Sequence, residues 1–320
     1  GYLALIEGGL DLRTITNSAP LLLAGLSVAL GFKAGLFNIG ATGQFVIGGL
    51  FAAIAGALVA QWSFAIAIPV AVVVGSAAAA AYGFIPGFLK ATTGAHEVVT
   101  TIMLNFIALF TGTALIINLF ADPAFTFDRT SDVGNAGLPV LFGRDLHLGV
   151  LVAYAVVPIF WWFVWKTTRG FEIRTVGANP SAARYAGMSP RRLIILTMSL
   201  CGMLAGLAGV ILMLGEIGFY PATFGTAIGF DAIAIALLGR SHPVGVMIGA
   251  LIFGFLRAGA PLRQVRADIP VEIIDILTAT ILFFLAADVI VRRLFRMRGA
   301  RATGGGEQQF TKSYGGETAA

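Results

Sequence analysis

Apolar runs of close to twenty residues recur along almost the whole chain, and no feature restricts its fold more. Each is near the ~20 residues that a helix needs to cross ~30 Å of hydrocarbon. Of the 320 residues, 58% are hydrophobic and only 12% charged, where a soluble domain carries about 25% charged residues. A chain this apolar cannot cover itself with a water-compatible surface, so its solvent is largely lipid. Backbone polar groups in lipid must be satisfied within a helix or a closed barrel. The alternating pattern of barrel strands is absent, which leaves an all-α, polytopic membrane protein. The 41 glycines suit close helix–helix approach in such a bundle.

About nine membrane segments are expected, over roughly 19–37, 42–60, 64–89, 98–120, 147–166, 193–214, 222–239, 243–258 and 270–291. Segments 42–60 and 222–239 are short or glycine-interrupted, so broken or re-entrant helices are expected near 38–48 and 222–239. Residues 1–298 read as one transmembrane domain. The tail 299–320 is glycine-rich and polar without helical period, and reads as disordered.

Lysines and arginines set the orientation. The loop 166–192 holds Lys166, Arg169, Arg174, Arg184, Arg191 and Arg192 against Glu172, and the C-terminal stretch holds Arg292, Arg293, Arg296, Arg298 and Arg301. Both are predicted to be cytoplasmic. Loop 121–146, with Asp122, Asp128, Asp132 and Asp145 against Arg129 and Arg144, is then external, as are residues 1–18. Arg257, Arg263 and Arg266 conflict with this topology, because they fall in a loop placed outside, with Asp268, Glu272 and Asp275 nearby. Trp161, Trp162 and Trp165 before Lys166 read as an interfacial anchor rather than a cation-binding cage. The net charge of +5 comes from basic residues beside membrane spans, which is a topology signal and not one for nucleic acid.

Several chemistries are excluded. Cys201 is the single cysteine, so an intrachain disulfide and the usual zinc or iron–sulfur sets are ruled out, and it reads as a small packing residue. His96, His147 and His242 lie in different loops, and His96-Glu97 lacks the second histidine of HExxH. No metal set or nucleophile–base pair for an intramembrane enzyme follows. The tail's Gly304-Gly305-Gly306-Glu307 lacks the Gly-Lys-Ser/Thr ending of a P-loop.

The remaining polar residues each carry a functional and a structural reading. Asn179 as N-cap and Pro180 at the first position predict a short helix from Pro180 to about Ala186, stopped at Gly187. So short a helix needs a docking partner; on spacing alone the stretch also reads as an ordinary basic loop. Asn38 and Gln44 flank a break containing Gly40 and Gly43, where they would hydrogen-bond a solute or cap the broken ends. Asp231 reads as a functional acid at membrane depth or as an acid favoured near a helix N-terminus. Glu97 suits a first helical turn, and Asn105 lies eight residues on, about two turns along one face. Glu216 and Tyr220 read as interfacial anchors or as contacts for an extracytoplasmic protein. An ion-gradient-driven secondary transporter stands as the alternative class, with Asp231 as its one good mid-segment acid.

The stretch Arg169–Ser189, RGFEIRTVGANPSAARYAGMS, resembles the cytoplasmic coupling loop of ABC importer permeases of the branched-chain amino acid, ribose and nucleoside type. Gly35–Phe45 (GLFNIGATGQF), Gly94–Phe106 (GAHEVVTTIMLNF) and Gly229–Arg240 (GFDAIAIALLGR) resemble further motifs of that family, and the four spread over most of 19–258. The Phe37-Asn38-Ile39-Gly40 form with Gly43-Gln44 looks most like the first permease of the nucleoside importers, which are similar to the simple sugar importers. The resemblance implies about ten spans, nine here and one before Gly1, in a prokaryotic inner membrane. It implies a path for a small polar solute, a nucleoside, with a simple sugar or branched-chain amino acid as alternatives. A cytoplasmic ATPase, a second, non-identical permease and an extracytoplasmic solute-binding lipoprotein are the implied partners. This chain would bind no cofactor and catalyse nothing, since ATP and Mg belong to the ATPase. Coupling would fall to Arg169, Glu172, Arg174, Asn179, Pro180, Ala182, Ala183, Arg184 and Gly187, and the solute path to Asn38, Gln44, His96, Glu97, Asn105 and Asp231.

Overall fold

Helices form where the apolar runs lie, and their ends are set by local capping and by proline. The computed structural model describes residues 12–142, 146–224 and 228–267, with single helical positions at 273, 276 and 280. Its helices are α1 (Arg13–Lys33), α2 (Ala41–Leu58), α3 (Phe64–Thr93), α4 (Glu97–Leu115), α5 (Leu148–Lys166), α6 (Thr168–Ala178), α7 (Pro180–Tyr185), α8 (Pro190–Leu212), α9 (Ile228–Leu238) and α10 (Pro243–Ala267). Among the described residues, seven helices are long and apolar enough to cross a membrane. The eighth apolar helix, α9, has 11 residues and reaches only about half the hydrocarbon thickness at 1.5 Å per residue. The expected span 270–291, the arginines from Arg292 to Arg301 and the tail 299–320 lie outside the described residues.

Two expectations shift in detail. The first segment starts at Arg13 and ends at Lys33, and the non-helical break runs from Ala34 to Gly40. Gly43 and Gln44 therefore sit in the first turn of α2, beyond the break they were expected to share. The loop 166–192 holds α6 as well as the predicted α7.

The centre and rim of the bundle separate by burial. In α1 and α2, 83% of the membrane-spanning window is buried, against 22% in α3 and 17% in α4. The inner helices meet through glycines. A Cβ on Gly75 would lie 2.6 Å from the Gly48 carbonyl oxygen, and one on Gly48 would overlap the Gly206 backbone, so α2, α3 and α8 touch backbone to backbone. In lipid there is little hydrophobic drive between helices, so such van der Waals contact is what holds them. α9 and α10 pack on α1, where Gly25 lies against Ile235 and Val246.

At the end of the bundle carrying Arg13 lies the connection from α4 to α5, described over 121–142 and 146–147. It includes a one-turn helix at Gly134–Ala136 and a small antiparallel pair, β1 (Val140–Phe142) with β2 (Leu146–His147). Arg129 is 5% exposed and its guanidinium lies 3.4 Å from the Phe125 ring centre and 4.2 Å from that of Phe219. It also pairs with Asp132 at 3.1 Å. The contact with Phe219 fastens this loop to the segment after α8. Tyr220 is 2% exposed; it is a core residue, not the interfacial anchor or protein contact expected of it. Its position follows from the Tyr220 N–H donating to Thr130 Oγ1 and the Thr130 N–H donating to the Tyr220 carbonyl.

Candidate functional site: two broken helices and a polar cavity

A broken helix inside lipid frees backbone groups that must find partners in protein or in a watery path. At the α1–α2 break, side chains supply them. Asn105 of α4 accepts a hydrogen bond from the Gly43 N–H at 2.7 Å and donates to the Ile39 carbonyl at 3.0 Å. Asn38 donates to Gln44 Oε1 at 2.9 Å, and Gln44 donates back to Asn38 Oδ1 at 3.2 Å. Both are 1% exposed, and Asn38 also donates to Ser27 Oγ at 3.3 Å. These three predicted path residues converge on one place, as a clamp across the break.

The second break precedes α9. The chain leaves α8 through a π-type turn, Met213–Ile217, is non-helical over 218–224, and is described again in α9 from Ile228. Gly229 packs directly on Thr42, so the first turn of α9 sits against the first turn of α2. Two half-helix starts thus meet inside the bundle, the arrangement that builds solute sites in many transporters. Asp231 lies in that first turn, 3% exposed, and pairs with Arg257 of α10. Arg257 thus lies within the candidate span Pro243–Ala260, ion-paired with a buried carboxylate. The Arg263 and Arg266 side chains lie outside the described residues.

Beside this pair is a cavity of about 270 Å³, lined by Asn17, Pro20, Leu21, Phe45, Leu212, Glu216, Ile228 and Arg257. Its volume lies just below the range of about 300–1,000 Å³ usual for small-molecule pockets. The apolar floor is Leu21, Phe45 and Ile228, each 3% exposed or less. Phe45 is held by near-parallel stacking on Phe224, which in turn tilts against Tyr220. Asn17 and Arg257 are half-exposed and Glu216 exposed, so the polar groups form the rim.

His96 and Glu97 lie elsewhere, at the turn between α3 and α4. Glu97 is 7% exposed and pairs with Lys90 at 2.8 Å, tying the last turn of α3 to the first of α4. His96 is the exposed N-cap residue.

The opposite end of the bundle carries α6 and α7. Thr167 caps α6 by accepting from the Gly170 N–H at 3.1 Å. Asn179 Oδ1 accepts from the Ser181 and Ala182 N–H groups at 3.0 and 3.1 Å, with Pro180 at the first position. Gly187 ends the unit at φ +79°, a left-handed conformation that glycine adopts without penalty. Only Ala183 of α7 is buried; it joins an apolar cluster with Ala34, Leu36, Ile173, Val176, Leu193 and Met198. Gly177 of α6 packs on the backbone of Lys33 and Ala34. Arg169 pairs with Glu172 at 2.9 Å on the exposed side, while Arg174 and Lys33 both face the Trp165 ring. Ala182, Arg184 and Tyr185 are exposed, Tyr185 at 93%. So α7 presents a free surface and is keyed through Ala183 to the α1–α2 break.

Residues 12–286 match the family described as branched-chain amino acid transport system / permease component. The chain belongs to this permease family. It is 39% identical over 287 residues to the guanosine ABC transporter permease protein NupP of Bacillus subtilis, covering 88% of this chain and 82% of that one. It is 38% identical over 300 residues to the nucleoside ABC transporter permease protein NupB of Lactococcus lactis, covering 87% and 79%. The glucose ABC transporter permease protein TsgB13 of Haloferax volcanii is 34% identical over 314 residues, covering 92% and 82%.

Sequence reasoning about this permease missed Asn17, Phe45 and Arg257 as cavity residues. For Arg257 a signal existed, a cation out of place in the topology. It also missed the turn between α9 and α10, where Arg240 and Ser241 hold φ of 50° and 53°. Two successive non-glycine residues in the left-handed region store strain of order 1–2 kcal/mol each.

Proposed function

We propose that the chain is one membrane-spanning subunit of an ATP-driven ABC importer and forms part of the path for a nucleoside. The observation that carries this is α7, a capped six-residue helix with an exposed surface, keyed by Ala183 to the break between α1 and α2. A helix that short is marginal alone, so its definition by two caps and a docked alanine suits a part that transmits force. In this reading the loop 166–192 and the C-terminus face the cytoplasm, as the excess of basic residues favours, and the cavity rim faces the other side. A partner ATPase binds ATP and Mg and pushes on α7, with Arg169, Glu172 and Arg184 around the contact. The push reaches Ala34 and Leu36, then the clamp of Asn38, Gln44 and Asn105, then the half-helix α9. A second, non-identical permease and an extracytoplasmic solute-binding protein complete the assembly.

Nucleoside is favoured over other solutes by the similarity to the guanosine permease NupP and the nucleoside permease NupB and by a cavity with an apolar floor and a polar rim. A simple sugar is the second reading, supported by the similarity to TsgB13. Asp231 is ion-paired with a fixed arginine, a poor arrangement for a carboxylate that must exchange protons or sodium. The test is uptake of labelled guanosine by cells that express this permease with its partners. Uptake that follows cellular ATP and survives collapse of ion gradients supports the proposal; uptake lost with the gradients while ATP persists overturns it.

A further inference from the structure

We infer that Lys33, Trp165 and Arg174 form a headgroup site for one anionic phospholipid, at the end of the bundle that carries α6 and α7. Lipid binding there is independent of which solute the permease carries. Lys33 is the last residue of α1, Trp165 lies in the last turn of α5 and Arg174 lies within α6. The Lys33 ammonium is 5.6 Å from the centre of the Trp165 ring and the Arg174 guanidinium 6.0 Å, so two cations meet one indole. His242, in the turn between α9 and α10, tilts against the same ring with centres 5.4 Å apart. Among the described residues, no acid pairs with Lys33 or Arg174. Glu172, the acid on α6, is taken by Arg169. The Arg174 Nε is buried with no hydrogen-bond partner among the described residues. Gly177 packs on the Lys33 backbone, so α1 and α6 hold the two cations together. Like charges gathered without a counter-charge repel, and an anion bound beside them reverses that cost.

Depth in the membrane identifies the anion. Trp161 and Trp162 are 40% and 58% exposed, and the Lys166 ammonium lies 5.4 Å from the Trp161 ring centre. Exposed indoles and cations at the end of a span mark the membrane–water interface. Trp165 is about one helical turn from Trp161, so its cations stand at the level of the lipid phosphates. Basic pockets between helices at that level hold anionic headgroups. An apolar track leads away from the site. Val244, Ile248 and Ile252 are exposed on α10, which begins just past His242 and packs beside α5. Their four-residue spacing keeps them on one face, a bed for an acyl chain. Arg174 offers phosphate a planar fork and Lys33 a point charge. A zwitterionic headgroup brings its own ammonium, which these cations repel. A lipid of net negative charge, such as phosphatidylglycerol, is therefore selected over phosphatidylethanolamine.

The experiment uses the full-length chain purified in neutral detergent, alone and in its assembled complex. Native mass spectrometry counts bound phosphatidylglycerol and phosphatidylethanolamine over a lipid titration. The proteins are wild type, Lys33→Gln/Arg174→Gln, Lys33→Arg and Arg191→Gln/Arg192→Gln, the last removing the same charge from exposed positions at the start of α8. Wild type should hold one phosphatidylglycerol at least about tenfold more tightly than phosphatidylethanolamine, as expected for a hydrogen bond between charged groups. Lys33→Gln/Arg174→Gln should lose that preference, while Lys33→Arg and Arg191→Gln/Arg192→Gln keep it. Thermal unfolding without lipid shows which variants fold. If the Lys33→Gln/Arg174→Gln protein does not, Lys33→Gln alone, at a half-buried position, carries the test in the same direction. Equal phosphatidylglycerol affinity in wild type and the site variant, or an equal loss in Arg191→Gln/Arg192→Gln, overturns the site. Full displacement of the lipid by excess inorganic phosphate would assign the cations to free phosphate and overturn the lipid. An assembled complex that excludes phosphatidylglycerol, and whose ATPase dissociates from Lys33→Gln/Arg174→Gln, would assign them to a protein contact and overturn it too.

Discussion

Replacing Asn105 with leucine isolates the cost of a broken helix in lipid. The Asn105 side chain makes two bonds to the α1–α2 break, accepting from the Gly43 N–H at 2.7 Å and donating to the Ile39 carbonyl at 3.0 Å. Leucine keeps the volume and leaves both backbone groups without those partners. A buried polar group stripped of its partner costs about 1–3 kcal/mol. Both bonds are only part-buried, so the lower half of that range, about 1–2 kcal/mol each, applies, and the two together give about 2–4 kcal/mol. Asn118 on the same strip of chain is the control. It is exposed and, among the described residues, bonds the Ala114 carbonyl one turn back, so Asn118→Leu should stay within about 0.5 kcal/mol of wild type. Thermal unfolding of the purified protein in mild detergent reads the difference as a fall of several degrees for Asn105→Leu and almost none for Asn118→Leu. Equal midpoints for the two variants would refute the claim that Asn105 satisfies the break.

Three further outcomes follow from single contacts. Gly75→Ala places a Cβ 2.6, 2.7 and 2.8 Å from Gly48 O, Val210 Cγ2 and Ala52 Cβ; overpacking of this kind costs about 1–3 kcal/mol, and expression with thermal stability should both drop. Asn179→Ala removes the N-cap of α7, about 1 kcal/mol of local helix stability; proteolysis within 180–187 should speed up while the unfolding midpoint of the bundle stays put. His147 lies just before the α5 span, 1% exposed, with no hydrogen-bond partner on either ring nitrogen among the described residues. Burial holds its pKa below the ordinary 6.5, so the folded state binds its proton less readily than the unfolded state. That stability is complete above pH 6.5 and is lost as pH falls from there toward the folded value. His147→Gln should flatten the slope of thermal midpoint against pH over that range.

What could be read from the sequence divides by the distance of the interactions. Apolar length alone located the seven candidate spans among the described residues, because lipid penalises every other arrangement. The helix at Pro180 was legible since Asn179, Pro180 and Gly187 carry its start and stop within eight residues. The first break was placed a few residues late, because Gly40 and Gly43 are equally able to end a helix. What decides between them is Asn105, 62 residues from Gly43, which takes up the Gly43 N–H and lets α2 begin earlier. Helix α6 escaped notice because Gly170 and Gly177 lower helix propensity; both are there to pack on backbone, Gly170 on Phe163 and Val164 and Gly177 on Lys33 and Ala34. The Asp231–Arg257 pair joins residues 26 apart across the α9–α10 turn, and nothing local announces it. Tyr220 looked interfacial because it lies just past the end of the segment 193–214, yet the bonds of its backbone N–H and carbonyl to Thr130 fold it inward.

The most direct test of the account uses the lone cysteine. Cys201 is buried, so Tyr185→Cys adds one accessible thiol at the most exposed position of α7. A short thiol crosslinker applied to membranes holding the co-expressed complex should join this position to the ATPase subunit, and ATP should change the yield. An ATPase that never crosslinks at position 185, in a complex whose solute uptake persists without ATP, would contradict the importer reading.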